Sequence, residues 1–318
     1  MEISTVLVTG CAGFIGSNFV RQFKEIFPHV QIIGIDDLSS GRRDAVDEST
    51  TFYCGSILDE ELVYDIFERH KPDCVFHFAA VPRVSYSVQY PIYTSEVNIV
   101  GTVTLLEAAK RYGAKRFVFS SSSAIYGDAQ EMPTKESGNP PAPVSPYALQ
   151  KSAGEQFCKM FSELFGLDTI CLRYFNVYGP GQYGDASYST VVCAWLESAY
   201  FPEKGRAFLE GDGTQSRDFC YVDDIVRANI LAMQSEKEFK GECINIASGE
   251  TLEVNRVRSC IESVVGRQLD IELRPPRSGD VRSTHADITS ARSLIGYEPM
   301  TSFEEGIGAT VGWFKSRL

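Results

Sequence analysis

The chain has 318 residues, 43% of them apolar, enough for one large or two ordinary domains with a substantial core. Its net charge of -12 argues against nucleic acid or an anionic membrane as the main partner, since both recruit basic surfaces, and obliges any anionic ligand to find local arginines. Residues Thr5 to Thr9 are too few for the apolar part of a signal peptide, and no apolar run is long enough to span a bilayer, so a cytoplasmic protein is expected.

Short runs rich in β-branched residues alternate with longer stretches of helical period, the sequence form of an α/β fold with a doubly wound parallel sheet. Strands are expected at 5–9, 31–35, 51–54, 74–78, 116–120 and 168–173, and helices at 59–70, 95–112 and 146–165. The first strand runs into Gly10-Cys-Ala-Gly-Phe-Ile-Gly16, and the helix that follows carries Ile15, Phe19, Phe23, Ile26 and Phe27 at the spacing of a sheet-packed face. Small residues at Gly10, Gly13 and Gly16 let backbone approach a pyrophosphate, whose charge then rests on the helix N-terminus. The second strand leads to Asp36, where a carboxylate accepts ribose hydroxyls and repels a 2′-phosphate, so NAD is favoured over NADP. Arg42 and Arg43, just beyond, read as a solvated basic pair.

The segment Glu131 to Pro146 holds five prolines, which excludes helix and ladder and makes an extended loop leading to Tyr147. Tyr147 and Lys151 stand four residues apart on one helix face. A phenol keeps its proton to about pH 10, and an ammonium one turn away favours the phenolate, which makes Tyr147 a candidate proton shuttle. After Asn176 the alternation breaks down, with Gly-Pro-Gly at 179–181, Gly211, Gly213 and a Pro-Pro pair at 275 and 276. The expected division is a Rossmann-type domain over 1–175 with a segment returning at about 219–247, and a smaller α+β substrate domain over 176–218 and 248–318. The nine cysteines are scattered singly, without CxxC spacing, and only four histidines are present, so buried thiols are expected and neither a metal site nor a disulfide framework.

The chain resembles the extended short-chain dehydrogenase/reductase family, in particular its nucleotide-sugar 4-epimerases, over essentially its whole length. The resemblance is carried by the glycine turn, Asp36-Asp-Leu-Ser-Ser-Gly41, His77-Phe-Ala-Ala80, Ser120-Ser-Ser-Ser-Ala-Ile-Tyr-Gly127, Ser145-Pro-Tyr-Ala-Leu-Gln-Lys151, Arg173-Tyr-Phe-Asn-Val-Tyr-Gly179, Ser216-Arg-Asp-Phe-Cys-Tyr-Val-Asp223 and Arg277-Ser-Gly-Asp-Val-Arg282. It implies an NAD-dependent isomerase that interconverts UDP-glucose and UDP-galactose, or their N-acetylated counterparts, through a 4-keto sugar. Ser122, Tyr147 and Lys151 would be catalytic, Ser122 holding the reacting oxygen. The cofactor would lie along Gly10, Gly13, Phe14, Ile15, Gly16, Asp36, Asp37, Leu38, Ser39, Ser40, Gly41, Ser56, Ile57, Phe78, Ala79, Ala80, Asn98, Ser120, Tyr147, Lys151 and Tyr174, with Lys151 on the nicotinamide ribose. The sugar nucleotide would meet Asn176, Gln182, Thr190, Val191, Phe208, Arg217, Arg277, Asp280 and Thr284, with the arginines on the diphosphate and Asp280 on the uridine ribose.

Two departures refine this expectation. Ser123 and Ala124 stand where related 4,6-dehydratases carry an acid, so elimination lacks a catalyst and epimerisation is favoured over it. Thr284 replaces a bulky tyrosine that in some relatives is associated with exclusion of N-acetyl sugars, which points to the N-acetylated substrates. A keto-reductase or dehydratase of the same family, or a noncatalytic NAD sensor, are the rival readings. The family likeness also implies a homodimer through a four-helix bundle built from the helices near 95–112 and 146–165.

Overall fold

A computed structural model of the protein describes residues 2–129, 131–183, 190–275 and 281–318. Seven parallel strands form the central sheet. Six come from the first half: β1 (Thr5–Thr9), β2 (Gln31–Asp36), β3 (Thr51–Cys54), β4 (Cys74–His77), β5 (Arg116–Ser122) and β6 (Thr169–Tyr174). The seventh, Lys240–Ile246, pairs with β6 at one edge, and the order runs from it through β6, β5, β4, β1 and β2 to β3. The winding reverses between β1 and β4, so the carboxyl ends of these two strands open a crevice, the usual place for a ligand in such sheets. This is a Rossmann-type doubly wound fold. Val6, Val8, Phe117, Val118, Ile170 and Leu172 are sealed from solvent, because helices cover both faces of a parallel sheet and leave its strands no polar side.

The helices of this half are α1 (Phe14–Ile26), α2 (Glu60–His70), α3 (Val84–Gln89), α4 (Pro91–Ser95), α5 (Gly101–Tyr112) and α6 (Pro146–Phe165). Local chemistry sets the ends of α6: the Ser145 hydroxyl accepts from the Ala148 amide, Pro146 occupies the first turn, and Gly166 closes the helix with a positive φ of 70°. A methyl group at Gly154 would lie 2.4 Å from the Phe119 ring, so α6 sits directly on β5. Between α4 and α5 the chain does not form one continuous helix as expected from 95 to 112; residues Glu96–Val100 make a wider π-helical turn.

The remaining residues build three two-stranded sheets and the helices Val191–Tyr200, Val254–Val265 and Phe303–Lys315 around Trp195, Tyr178, Ile307 and Phe314. The returning segment opens as a strand, Phe219–Tyr221, and turns helical at Val222. Aromatic and thiol side chains over 219–221 suit a pleated partner, here Asn176–Tyr178.

Asp218 fastens this second half together. It is fully buried, and its carboxylate accepts from the amides of Ser248, Gly249 and Ala286 and from the Ser248 hydroxyl. Burial raises its pKa to about 6, against the pull of those donors. Truncation strands one buried N–H group, that of Ala286, and two partly buried ones, so Asp218→Ala is expected to lower the unfolding free energy by about 3 kcal/mol in chemical denaturation, whereas a surface control such as Asp212→Ala should change it little.

Candidate active site

The crevice at the carboxyl edge of the sheet is a cleft of about 1700 Å³ that runs from the glycine turn to the second half of the molecule. At one end Gly10 takes a φ of 69°, and a methyl group there would lie 2.7 Å from the Ala79 nitrogen. One at Gly16 would lie 2.1 Å from the Gly10 carbonyl. The turn is therefore pressed flat on the sheet. Gly13 caps α1 without a side chain, which leaves the first amides of the helix open to the cleft. Asp36 sits at the tip of β2. One of its carboxylate oxygens accepts from the Ala12 amide at 2.9 Å and the other from Leu38 at 2.8 Å, and burial raises its pKa. Each oxygen keeps a further lone pair for a ribose hydroxyl. Arg42 pairs with Asp44 and stacks on Tyr183, and Arg43 stacks on Phe52, so neither is aimed at Asp36 as a phosphate clamp.

At the other end β5 and α6 bring Ser122 and Tyr147 together. β5 runs two residues further than expected, which carries Ser122 to the cleft as the last residue of the strand. Its hydroxyl accepts from the Ala124 amide at 3.2 Å and lies within reach of the Tyr147 phenol. The Tyr147 amide donates to Ser87 at 3.0 Å, and the Ser87 hydroxyl donates to the Val84 carbonyl at 2.6 Å, so α3 holds the first turn of α6.

The electrostatics of the pair differ from the expectation. Burial raises the Tyr147 phenol to about 12, with Ser122 pulling back. The Lys151 ammonium donates to the Ser120 carbonyl at 2.8 Å and lies over the Tyr147 ring, 6.0 Å from its centre. Burial lowers Lys151 to about 8. Desolvation outweighs the attraction across the helix turn, because both groups are sealed from water and each is pushed toward its neutral form.

Most of the expected residues border the cleft: Gly10, Gly13, Phe14, Ile15, Gly16, Asp36, Asp37, Ser39, Ser40, Ser56, Ile57, Phe78, Ala79, Ala80, Ser122, Tyr147, Tyr174, Asn176, Gln182, Thr190, Val191, Phe208, Arg217 and Thr284. Leu38, Gly41, Asn98, Ser120 and Lys151 do not line it; Asn98, Ser120 and Lys151 are buried, while Leu38 and Gly41 are half-buried. Ser120 is one pleat deeper, its hydroxyl 3.2 Å from the Tyr174 hydroxyl. A side chain at Gly41 would strike Asp36 at 2.8 Å. Arg277 and Asp280 lie outside the described residues. In the sugar half, the Thr284 hydroxyl accepts from the Asp218 amide and from Asn176, Gln182 accepts from Thr190 at 3.0 Å, and the Arg274 guanidinium covers Phe208 at 4.0 Å. Sequence reasoning missed Arg83, Ser85 and Val88 of the α3 region, which line the cleft beside Tyr147, and Gln215 and Trp313 opposite. The only sequence signal for the first group is its position just after His77-Phe-Ala-Ala80. Among the described residues no cluster of histidine, cysteine and carboxylate side chains could hold a metal, the nine cysteines are free thiols, and no helix is long and apolar enough to cross a membrane.

A flat glycine turn, an acidic strand tip and a serine–tyrosine pair around one crevice define a dinucleotide-dependent enzyme of the short-chain dehydrogenase type. The chain belongs to the NAD dependent epimerase/dehydratase family, whose pattern residues 6–247 match. It is 36% identical to UDP-glucose 4-epimerase of Mycolicibacterium smegmatis over 98% of both chains. In structure it is similar to Thermotoga maritima UDP-glucose 4-epimerase, solved with UDP-glucose (39% identity, TM-score 0.92, 98% of this chain and 99% of that one). It is also similar to UDP-N-acetylglucosamine 4-epimerase of Methanobrevibacter ruminantium, solved with UDP-N-acetylmuramic acid (36% identity, TM-score 0.91, the whole of both chains). The glycine turn, the open α1 amides and Asp36 fit NAD.

The Lys151 pKa has a measurable consequence. The unfolded chain keeps this proton up to about 10.5, while the folded chain releases it at about 8, so the charged amine opposes folding below that window and the penalty lifts as pH climbs through it. Between pH 8 and 10.5 the wild type is expected to gain stability relative to Lys151→Met, by about 3 kcal/mol in all. Parallel denaturation curves for the two proteins across that range would show Lys151 to be charged or exposed instead.

Proposed function

We propose that the protein is an NAD-dependent nucleotide-sugar 4-epimerase acting on UDP-sugars. The observation that carries this is the meeting of Ser122 and Tyr147 at a cleft whose opposite end is the glycine turn, with Ser123 and Ala124 lining the place where an eliminating acid would stand. NAD, when bound, supplies a hydride acceptor that also gives the hydride back, so the sugar passes through a 4-keto form. Ser122 holds the 4-oxygen. Tyr147 accepts the hydroxyl proton as C4 is oxidised and returns it once the sugar has presented its other face. Burial holds the phenol protonated, at about 12, so Tyr147 can take the hydroxyl proton only as the phenolate, which positive charge brought in with the bound cofactor would favour; the proton it gains is the one it returns. Lys151 orders the helix and the Ser120 carbonyl beneath the site.

Residues 1–175 with the 219–247 segment form the cofactor half, and 176–218 with 248–318 the sugar-nucleotide half. Arg217 and Arg277 serve the diphosphate in an otherwise acidic protein, Asp280 the uridine ribose, and Phe208 the base. Thr284 leaves room for an N-acetyl group. The protein is cytoplasmic and works as a homodimer. Support for pairing comes from one apolar face: Ile92, Leu149 and Leu164 are 76, 59 and 68% exposed on α4 and α6.

Purified protein incubated with UDP-galactose and UDP-N-acetylgalactosamine, without added NAD, is expected to give the 4-epimers at unchanged mass. Tyr147→Phe should turn over more slowly by about 10² to 10⁴-fold. A product lighter by one water, or a Tyr147→Phe variant as fast as the wild type, would sink the reading. Within it, Thr284→Tyr should lower kcat/KM for the N-acetylated sugar about tenfold or more relative to UDP-galactose, and an unchanged ratio counts against Thr284 as the selector.

A further inference from the structure

Behind the cleft wall lies a buried polar network whose centre, Gln150, has no part in the roles above. The side chain of Gln150, between Tyr147 and Lys151 on α6, is 2% exposed. Its oxygen accepts from Asn98 Nδ2 at 2.7 Å, and its nitrogen donates to Thr94 Oγ1 at 2.9 Å and Ser95 Oγ at 3.0 Å. Asn98, equally buried in the π-helical turn, grips the backbone of Val81 twice: its oxygen accepts from the Val81 amide at 2.8 Å and its nitrogen donates to the Val81 carbonyl at 3.1 Å. The backbone fixes both amide orientations. The Val81 N–H must meet an oxygen, which turns Asn98 Nδ2 toward Gln150, which must then present its own oxygen.

A second arm reaches the same loop. The Thr102 hydroxyl donates its one proton to the Asn98 carbonyl at 2.8 Å, so at 2.9 Å it can only accept from His77 Nε2. His77 Nδ1 is then the acceptor for Thr9 Oγ1 at 2.8 Å, and the Thr9 oxygen accepts from the Ala79 amide at 3.1 Å. Burial holds the His77 pKa well below its ordinary value, in keeping with the neutral tautomer this bookkeeping requires. Both ends of the strip from Ala79 to Val81, which lines the cleft beside Phe78, are thus tied to one network, and Gln150 is where that network is bonded to the catalytic helix.

We propose that Gln150 is a positioning residue: its amide couples the 79–81 backbone to α6 and sets the distance across which Tyr147 faces whatever lies along that strip. Why the distance matters rests on the epimerase reading; the coupling itself does not. A π-helical turn suits this task, since its wider pitch lets Ser95 and Asn98 both reach Gln150 while Asn98 still faces Val81. Small misplacements of such a wall are costly to rate even where the ligand still binds.

The test compares Gln150→Met, which keeps the length without hydrogen bonds, with Gln150→Glu, which when buried takes up a proton and so keeps one acceptor and one donor. Three quantities are measured on the full-length protein: amide hydrogen exchange of residues 79–81, kcat and KM for the UDP-sugar, and Tm. Gln150→Met should exchange the Ala79 and Val81 amides about tenfold faster and lower kcat about tenfold while KM stays within about twofold. Gln150→Glu should recover most of both, and Asn98→Ala with Gln150→Met should be no slower than Asn98→Ala alone, because the two act as one unit. The proposal is overturned if Gln150→Met leaves exchange at 79–81 unchanged. It is equally overturned if exchange rises uniformly over the chain in step with a fall in Tm that Gln150→Glu does not repair. Should the wild type turn over no UDP-sugar, the epimerase reading falls, and the exchange of 79–81 still decides the role of Gln150.

Discussion

The ion pair between Glu155 and Arg173 fixes the roll of α6 on the sheet, and the site depends on that roll. Both side chains are almost wholly shielded from water, at 1 and 6% exposure. One Glu155 oxygen accepts from Ser121 Oγ at 2.6 Å and from Arg173 Nε at 2.8 Å, and the other accepts from Arg173 Nη2 at 2.8 Å. The remaining guanidinium nitrogen donates to the Tyr126 hydroxyl, which donates in turn to Asn245 on the seventh strand. A buried pair so fully bonded is not itself a large source of stability, but breaking one side leaves an uncompensated charge and costs about 3–5 kcal/mol. Tyr147, Lys151 and Glu155 follow one another at single-turn intervals along one stripe. Fixing the last against β5 and β6 therefore fixes the first against Ser122.

Burial governs the chemistry at the same place. The phenol and the ammonium are both pushed toward their neutral forms by removal from water, the phenol upward and the amine downward. The Ser120 carbonyl competes successfully for the lysine. A dry wall of this kind exchanges the ready ionisation of an exposed tyrosine for dependence on what enters the cleft, so bound ligands do more than supply reactive atoms: their charge completes the field in which the proton moves.

Much of the architecture could be read from the residues alone. The β-branched runs located the six strands of the first half to within two residues, and the helix expected over 146–165 is α6 at both ends. The glycine turn and Asp36 lie where spacing placed them. What escaped depends on partners distant in sequence. Ser121 and Ser122 look like loop residues until β6 pairs with them at Arg173 and Tyr174. Propensity does not distinguish a π-helical turn from a helix, and Asn98 within that turn meets Val81, a partner 17 residues away. The direction of the Lys151 ammonium turns on a carbonyl 31 residues away. Gln150 carries no signal of its own, since its three partners come together only when α4 and α6 pack.

Helix α6 has two working faces. Inward it presents Tyr147, Gln150, Lys151 and Glu155, all bonded or sealed; outward it shows Leu149, Met160 and Leu164 to solvent. Gly154 removes the cushion that a side chain would place between the helix and β5, so the backbone of α6 rests directly on the Phe119 ring. A single twenty-residue helix thus joins a bonded inner row to an apolar outer row left to solvent, with no side chain between its middle and the sheet.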